Sequence, residues 1–424
     1  MTKIKPFKAI IYNQDKLNNL SSVVCPPYDI IPPQAQKSLH DASPYNFIHI
    51  LFGKDISGED KYKRAAIYFK DWLKNEILVQ DERPAIYFYS QQYKVKGEKK
   101  TRLGFISLLH LQDKNSIYAH ENTRLAPKED RFKLIKQVKA NLSPIFVVFK
   151  DNKRIIQRVY KQYIQEKKPF IDIVDDEGVT HKLWRIDSPE TLGRIQSSLA
   201  GENIFIADGH HRYEVACAYR DLRKKKLSAF TGEESFNYVM SYFTNTDISG
   251  LTILPIHRLV KLDTTPDLDR LKLSLKEYFD IDEVKDKTRF FFLMEKGGRT
   301  EHVLGMYKDK KYFLLRLKNI KILDKLIADK PKEYRSLDVS IFNHIILKEI
   351  LGCNLEDKDN LTFSAQAQEF IDEADRDPLA IAFFLNPVKI QDIIAVALNG
   401  NKMPPKSTYF YPKVWSGLVV NKFD

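Results

Sequence analysis

Five consecutive residues, Asp208, Gly209, His210, His211 and Arg212, gather a carboxylate, two imidazoles and a guanidinium around one glycine. A second reactive group lies upstream, where His120 and Glu121 are followed by Arg124, Lys128 and Arg131. Imidazoles and carboxylates exchange protons, while guanidinium and ammonium groups bind phosphate oxygens, the first as a planar fork and the second as a point charge. Phosphoryl transfer needs that combination: neutralised donor phosphates, a positioned acceptor and a carboxylate that takes the acceptor's proton. If the two turns converge, Arg124, Lys128, Arg131 and Arg212 make a phosphate pocket. Glu121 is then the candidate base, His210 a further proton-transfer group, and Asp208 either a magnesium ligand or the partner that orients an imidazole. Structural roles compete with each of these. Glu121 could cap the helix after it, Asp208 could only shape its turn, and the paired histidines could cap and pack.

Periodicity supplies the elements that hold these residues. Ile204–Ala207 is a short apolar run suited to a buried strand, and Asp208-Gly209 suits a sharp turn. Beyond it Tyr213, Ala216, Cys217 and Leu222 recur at roughly helical spacing. The histidines therefore fall on the first turn of a helix leaving a strand end, where backbone N–H donors and the positive dipole end favour an anion. Upstream, Pro127, Glu129 and Asp130 with Phe132, Ile135 and Val138 predict a helix to about Ala140. Asn141-Leu142-Ser143-Pro144 ends it, before a buried strand at Ile145–Phe149. Further strands are expected at His181–Arg185 and Phe236–Thr244, with a helix from Ser188-Pro189 to Leu199 between them.

Ahead of this region, Glu59–Leu78 predicts a helix, and Ala85–Val95 with Thr101–Leu111 a β-hairpin. After it come a helix at Asp267–Phe279 and a small antiparallel meander of Arg289–Met294, His302–Met306 and Tyr312–Leu317. An apolar helix follows at Val339–Leu351. The fold class expected is α+β in three parts: an N-terminal α+β unit (1–118), a core (119–260) and a C-terminal α+β unit (261–424). The Pro-punctuated tail at 403–413 is expected to pack back as a strap or over a site. Its Lys406 and Ser407, and Tyr28 and Asp29 of the Pro-rich turn, are guessed neighbours of a substrate.

The 424 residues carry a net charge of +12, which suits acidic partners such as nucleotides and phosphorylated metabolites. The densest basic run, Arg223–Lys226, suits a helix C-terminus, so nucleic acid is not an expected partner. Cys25, Cys217 and Cys353 are widely spaced, which argues against a disulfide framework or a cysteine zinc site. The N-terminus lacks a signal-like apolar stretch and no run is long enough to span a bilayer, so a cytoplasmic protein without membrane contact is expected. Neither a G-x-x-x-x-G-K-[ST] loop, a G-x-G-x-x-G fingerprint nor a G-x-S-x-G elbow occurs. No H-E-x-x-H occurs either, and adjacent histidines on a helix point about 100° apart, a poor pair for one metal.

The order His-Glu turn, helix, Ser-Pro-Ile-Phe strand, later strand, Asp-Gly-His-His-Arg and helix resembles the ParB/sulfiredoxin-like fold. There, a strand-to-helix turn ending in arginine binds nucleotide phosphates. The version at 208–212 looks like that of free-serine kinases, which convert L-serine to O-phospho-L-serine with a glutamate as base. Glu121 matches that glutamate in order and spacing. A second resemblance spans nearly the whole chain. The blocks at 26–29, 120–131, 141–146, 207–214 (ADGHHRYE), 253–259 and 403–413 (MPPKSTYFYPK) are similar to those of a widespread bacterial family of formerly unknown function.

Together these imply a nucleotide-dependent kinase of a small hydroxyl metabolite, L-serine first among them, with ATP or ADP as donor and Mg2+. Gly209, His210, His211 and Arg212 would hold the donor phosphates, Glu121 would deprotonate the acceptor, and Asp208 would bind magnesium or align a histidine. A non-enzymatic ParB-like nucleotide-binding regulator and a metal-dependent hydrolase are the alternatives. Oligomeric state stays open.

Overall fold

In a computed structural model of the chain, residues 1–111, 116–246, 250–353 and 360–423 are described. They form two compact units, one of Met1–Ala119, Thr123–Thr252 and Pro412–Asp424, the other of His120–Asn122 and Ile253–Tyr411. Helices and strands are mixed in both.

The first unit is built on a nine-stranded mixed sheet. Its centre is the hairpin of Ile86–Val95 and Glu98–His110, closed through Lys96 and Gly97 at φ 50° and 83°. Two successive residues at positive φ give the primed turn whose twist matches a hairpin. Outward from Glu98–His110 come Tyr238–Asn245 (antiparallel), Ile145–Phe149 (parallel), Ile204–Asp208 (antiparallel) and Ile117–Ala119 (parallel). On the other side Thr180–Ile186 and then Ile171–Val174 complete the row, and Ile4–Lys5 pairs with Leu109 and Leu108. Ile145, Val147, Ile204 and Ile206 point to one buried core, which also takes Ile195, Leu199 and Ala216. On the helix His210–Lys224, Val215 and Tyr219 turn instead to Ile135 of the helix Leu125–Val138 and to Phe423. That placement fixes the helix on two sides.

The tail beyond 411 is woven into this unit: Ser416 bridges Cys25, Val420 bridges Ile10, and Asn421–Lys422 pairs with Ala140–Asn141.

The second unit carries a six-stranded antiparallel sheet, in the order Phe279–Val284, Lys311–Leu317, Val303–Lys308, Ala380–Phe384, His257–Lys261 and Leu361–Ser364. Phe313 and Leu315 join one core, Tyr312 and Leu314 the other, so the sheet is buried on both faces. Here the meander expectation needs correcting. Arg289–Met294 lies within a helix, Lys287–Gly297, which Asp286 caps by accepting from the Arg289 N–H at 2.7 Å. Phe290 and Met294, four residues apart, are buried while Phe292 is exposed, a helical and not an alternating pattern. The missing strand is Phe279–Val284, because the preceding helix stops at Lys276.

Candidate functional site

The strand Ile204–Asp208 does not end in register. Ile206 stands opposite Val147 but Asp208 opposite Phe146, a one-residue irregularity of the kind that re-aims a side chain at a sheet edge. Gly209 follows at φ +89°, a conformation that glycine adopts without the Cβ penalty. A Cβ there would also lie 3.0 Å from the Arg212 guanidinium. The helix begins at His210, which is buried, and its first return bond runs from the Tyr213 N–H to the Gly209 carbonyl at 3.0 Å. The His211 and Arg212 N–H groups precede that bond, in the turn where a helix offers donors to an anion.

Asp208 is held between two cations. Its Oδ2 accepts from Arg212 Nη2 at 2.7 Å, and its Oδ1 from Lys413 Nζ. Arg212 also donates to the Pro144 carbonyl. Burial by itself would raise the Asp208 pKa, but Lys413 and Arg212, with His210 behind them, hold the carboxyl far below the usual carboxylate range. Asp208 is therefore a permanent anion with both oxygens engaged. Among the described residues, no three His, Cys, Asp or Glu side chains gather as a ligand set.

The turn after Asn122 converges on this helix. The Arg124 backbone N–H donates to His211 Nε2 at 2.9 Å, while Thr123 Oγ1 and Lys128 Nζ meet Glu214 Oε2 at 2.6 and 3.1 Å. Because Nε2 accepts, His211 is the neutral tautomer with its proton on Nδ1. Burial lowers its pKa, helped by Lys128 and Arg124 and opposed by Asp29 and Glu214. Arg124, Lys128, His211 and Arg212 thus belong to one neighbourhood, and exposed Asp29 faces it.

Arg131 is engaged differently. Its guanidinium lies 4.2 Å from the Tyr28 ring centre, donates to the Leu51 carbonyl at 2.6 Å and pairs with Asp130. Tyr28, Arg131 and Arg212 line a cavity of about 50 Å³ over Leu51, Leu134, Leu142, Val215 and Val239. Burial pushes the Tyr28 hydroxyl up to about 12, with Asp29 adding and Arg131 opposing.

The remaining candidates lie in the second unit. Glu121 forms a parallel bridge with Met403, the Met403 N–H donates to the His120 carbonyl at 2.7 Å, and His120 Nε2 lies 3.2 Å from Thr408 Oγ1. Met403 and Thr408 are thus the tail residues that meet the His-Glu turn. Lys406 is exposed and its carbonyl accepts from Arg258 at 2.9 Å, and the Ser407 hydroxyl donates to the Pro404 carbonyl at 2.6 Å. Sequence reading missed Lys413, although it closes the same tail block.

The chain is a mixed α/β protein with a strand-to-helix turn rich in charge at the end of a strand of its larger sheet. Residues 4–340 match the family described as Protein of unknown function (DUF1015), and the chain belongs to that family. No curated protein matches it. Among solved structures it is similar to a mutant free serine kinase in complex with ADP, at 10% identity and a TM-score of 0.34, over 70% of this chain and 84% of that one. Free serine kinase in complex with AMP gives 12% identity and 0.33, over 70% and 83%. C-terminally truncated SbnI from Staphylococcus aureus gives 10% and 0.36, over 74% and 86%. Likenesses this distant do not say what the chain binds or turns over. No described helix is long and apolar enough to cross a membrane.

Proposed function

We propose that the first unit contains a ParB/sulfiredoxin-like nucleotide site and that the chain is a kinase of a small hydroxyl metabolite, free L-serine being the first candidate. The observation that carries this reading is the meeting of two cationic turns: the Arg124 N–H on His211, with Thr123 and Lys128 on Glu214, beside the Asp208–Arg212 turn. The amide groups of the helix start, with His211, Arg124 and Lys128, would hold the phosphates of ATP or ADP, and Arg212 would lend charge from its place on Asp208. Mg2+ would arrive on the nucleotide's own phosphates, since it binds readily through phosphate and water with few protein ligands. The residue pattern and the motif resemblance supply Glu121 as base, and the resemblance alone supplies L-serine as acceptor.

The test is to incubate purified protein with Mg2+, ATP or ADP, and hydroxyl metabolites including L-serine, and to read products by mass spectrometry. O-Phospho-L-serine is expected, with Glu121→Gln binding nucleotide but losing transfer. Binding with no phosphorylated product from any acceptor would favour the ParB-like regulator, and unchanged turnover in the variant would remove Glu121 from the chemistry.

A further inference from the structure

The block at 253–259 takes no part in the phosphate turn, and its Arg258 lies in the second unit. Arg258 is 1% exposed, on the strand His257–Lys261, opposite Phe363 and Phe383 of the neighbouring strands. Its guanidinium lies 5.3 Å from the Phe363 ring centre and 5.9 Å from that of Phe342. Nη1 donates to the Ile256 carbonyl, and Nη2 to the Lys406 carbonyl at 2.9 Å. Nε is buried without an acceptor, and among the described residues no Asp or Glu pairs with this cation. Burial alone acts on its pKa, lowering it to about 9, so the group is a cation at neutral pH.

Arg102, equally buried in the first unit, is supplied differently. Gln91 Oε1 accepts from its Nε at 3.1 Å and from its Nη2, which also donates to the Pro412 carbonyl. Arg258 has no acceptor at Nε and no counter-charge. Burying a charge that way is costly, and a neutral amide could hold the Lys406 carbonyl as well. A guanidinium in such a place is suited to an anion that arrives from outside the chain. The adjacent His257 is neutral, because burial and Arg258 lower its pKa to about 3. One negative charge therefore balances the place, whereas a phosphate dianion would leave a second one among Phe342, Phe363 and Phe383.

We infer that Arg258 anchors a carboxylate-binding site in the second unit, which takes the carboxylate of a small organic or amino acid. The carboxylate replaces the Lys406 carbonyl on Nη2 and supplies the missing acceptor at Nε, as a bidentate pair. The turn at 404–407 yields to admit it. Lys406, exposed and at φ +58°, holds a backbone region that residues with a Cβ seldom adopt.

The experiment measures binding of acetate, L-serine, ethanolamine and inorganic phosphate to the full chain by calorimetry, without nucleotide. Acetate and L-serine should bind, and ethanolamine, which lacks the carboxylate, should not. Arg258→Met should weaken both carboxylates by about 10- to 100-fold, the range for losing a charge-assisted hydrogen bond, and Arg258→Lys should recover part of the loss. Arg270→Met, on the surface of the same unit, should bind as wild type. Arg258→Lys carries the comparison if Arg258→Met does not fold. Wild-type carboxylate affinity in Arg258→Met overturns the inference. So does phosphate binding that is tighter than carboxylate binding and depends on Arg258. A wild-type chain that binds neither acetate nor L-serine also overturns it, and leaves Arg258 a brace for the tail. Nucleotide binding is not read in any arm, so failure here is distinct from failure of the phosphate-site reading.

Discussion

Replacing Asp208 by Asn removes a negative charge that Arg212 and Lys413 share. Those cations are 11% and 8% exposed, so they lose their counter-charge in a place with little water to replace it. Breaking a buried ion pair from one side costs about 3–5 kcal/mol. The lower end applies here, because Asn still accepts one hydrogen bond and Arg212 keeps the Pro144 carbonyl. A loss of about 3 kcal/mol, at about 2–4 °C per kcal/mol in a unit of this size, lowers Tm by about 6–12 °C. The sign with pH follows from the depressed carboxyl. Its stabilisation is complete above the ordinary carboxylate range and is lost only as pH falls through the lowered folded value. The deficit of the variant should therefore be flat from pH 8 to 5. Added pyrophosphate or ADP supplies the missing negative charge, so the ligand-induced rise in Tm should exceed that of wild type. Scanning calorimetry with and without ligand reads both effects. An unchanged Tm, or a ligand response no larger than wild type, refutes the picture of Asp208 as the charge that two cations need.

Gly209→Ala places a Cβ at φ +89° and 3.0 Å from the Arg212 guanidinium, so a loss of about 1–2 kcal/mol and a weakened ADP affinity are expected. Denaturant unfolding and calorimetry check this, and wild-type ADP affinity would show that the geometry of the turn does not matter to binding. In the second unit, His257 Nδ1 accepts from the Leu385 N–H at 3.3 Å, and burial, with Arg258 beside it, lowers the imidazole to about 3. The neutral ring stabilises the fold fully above the unfolded value, near 6.5, and that contribution falls progressively below it, by about 2 kcal/mol at pH 5. His257→Gln should flatten the stability–pH curve between pH 6.5 and 5, and a curve of unchanged slope would count against a neutral buried His257.

Much of the local structure was legible because pattern and punctuation agree. Ile204–Ala207 followed by Asp208-Gly209 marks a buried strand and its turn, and the structure has strand Ile204–Asp208 with Gly209 at positive φ. Ser188-Pro189 opens a helix, although the Ser188 side chain makes no cap bond. Failures came where periodicity is silent. Residues 290–294 are apolar throughout, so strand and buried helix look alike there. The deciding signal was Asp286, a cap four residues earlier. The sequence extends the helix ending at Lys276 as far as Phe279, because the strand that starts three residues later opens on an apolar residue.

The charge pattern of the turn was legible only in half. Sequence shows which cations lie near Asp208 along the chain, and Arg212, one helical turn on, is where a salt bridge is expected. Lys413 lies 205 residues away, and no periodicity connects the two. What brings them together is tertiary: Gln91 and Arg102, on neighbouring strands of the hairpin, each take one carbonyl of the tail. Those two polar side chains are at 0% exposure, in strands that also bury Tyr87, Phe88, Tyr89 and Phe105. A buried guanidinium must be given acceptors, and here they include Gln91 Oε1 and the Pro412 carbonyl of a distant segment. Polar residues in the most buried strands were therefore the available sign that a remote segment had to dock there, and Lys413 follows from where it docks.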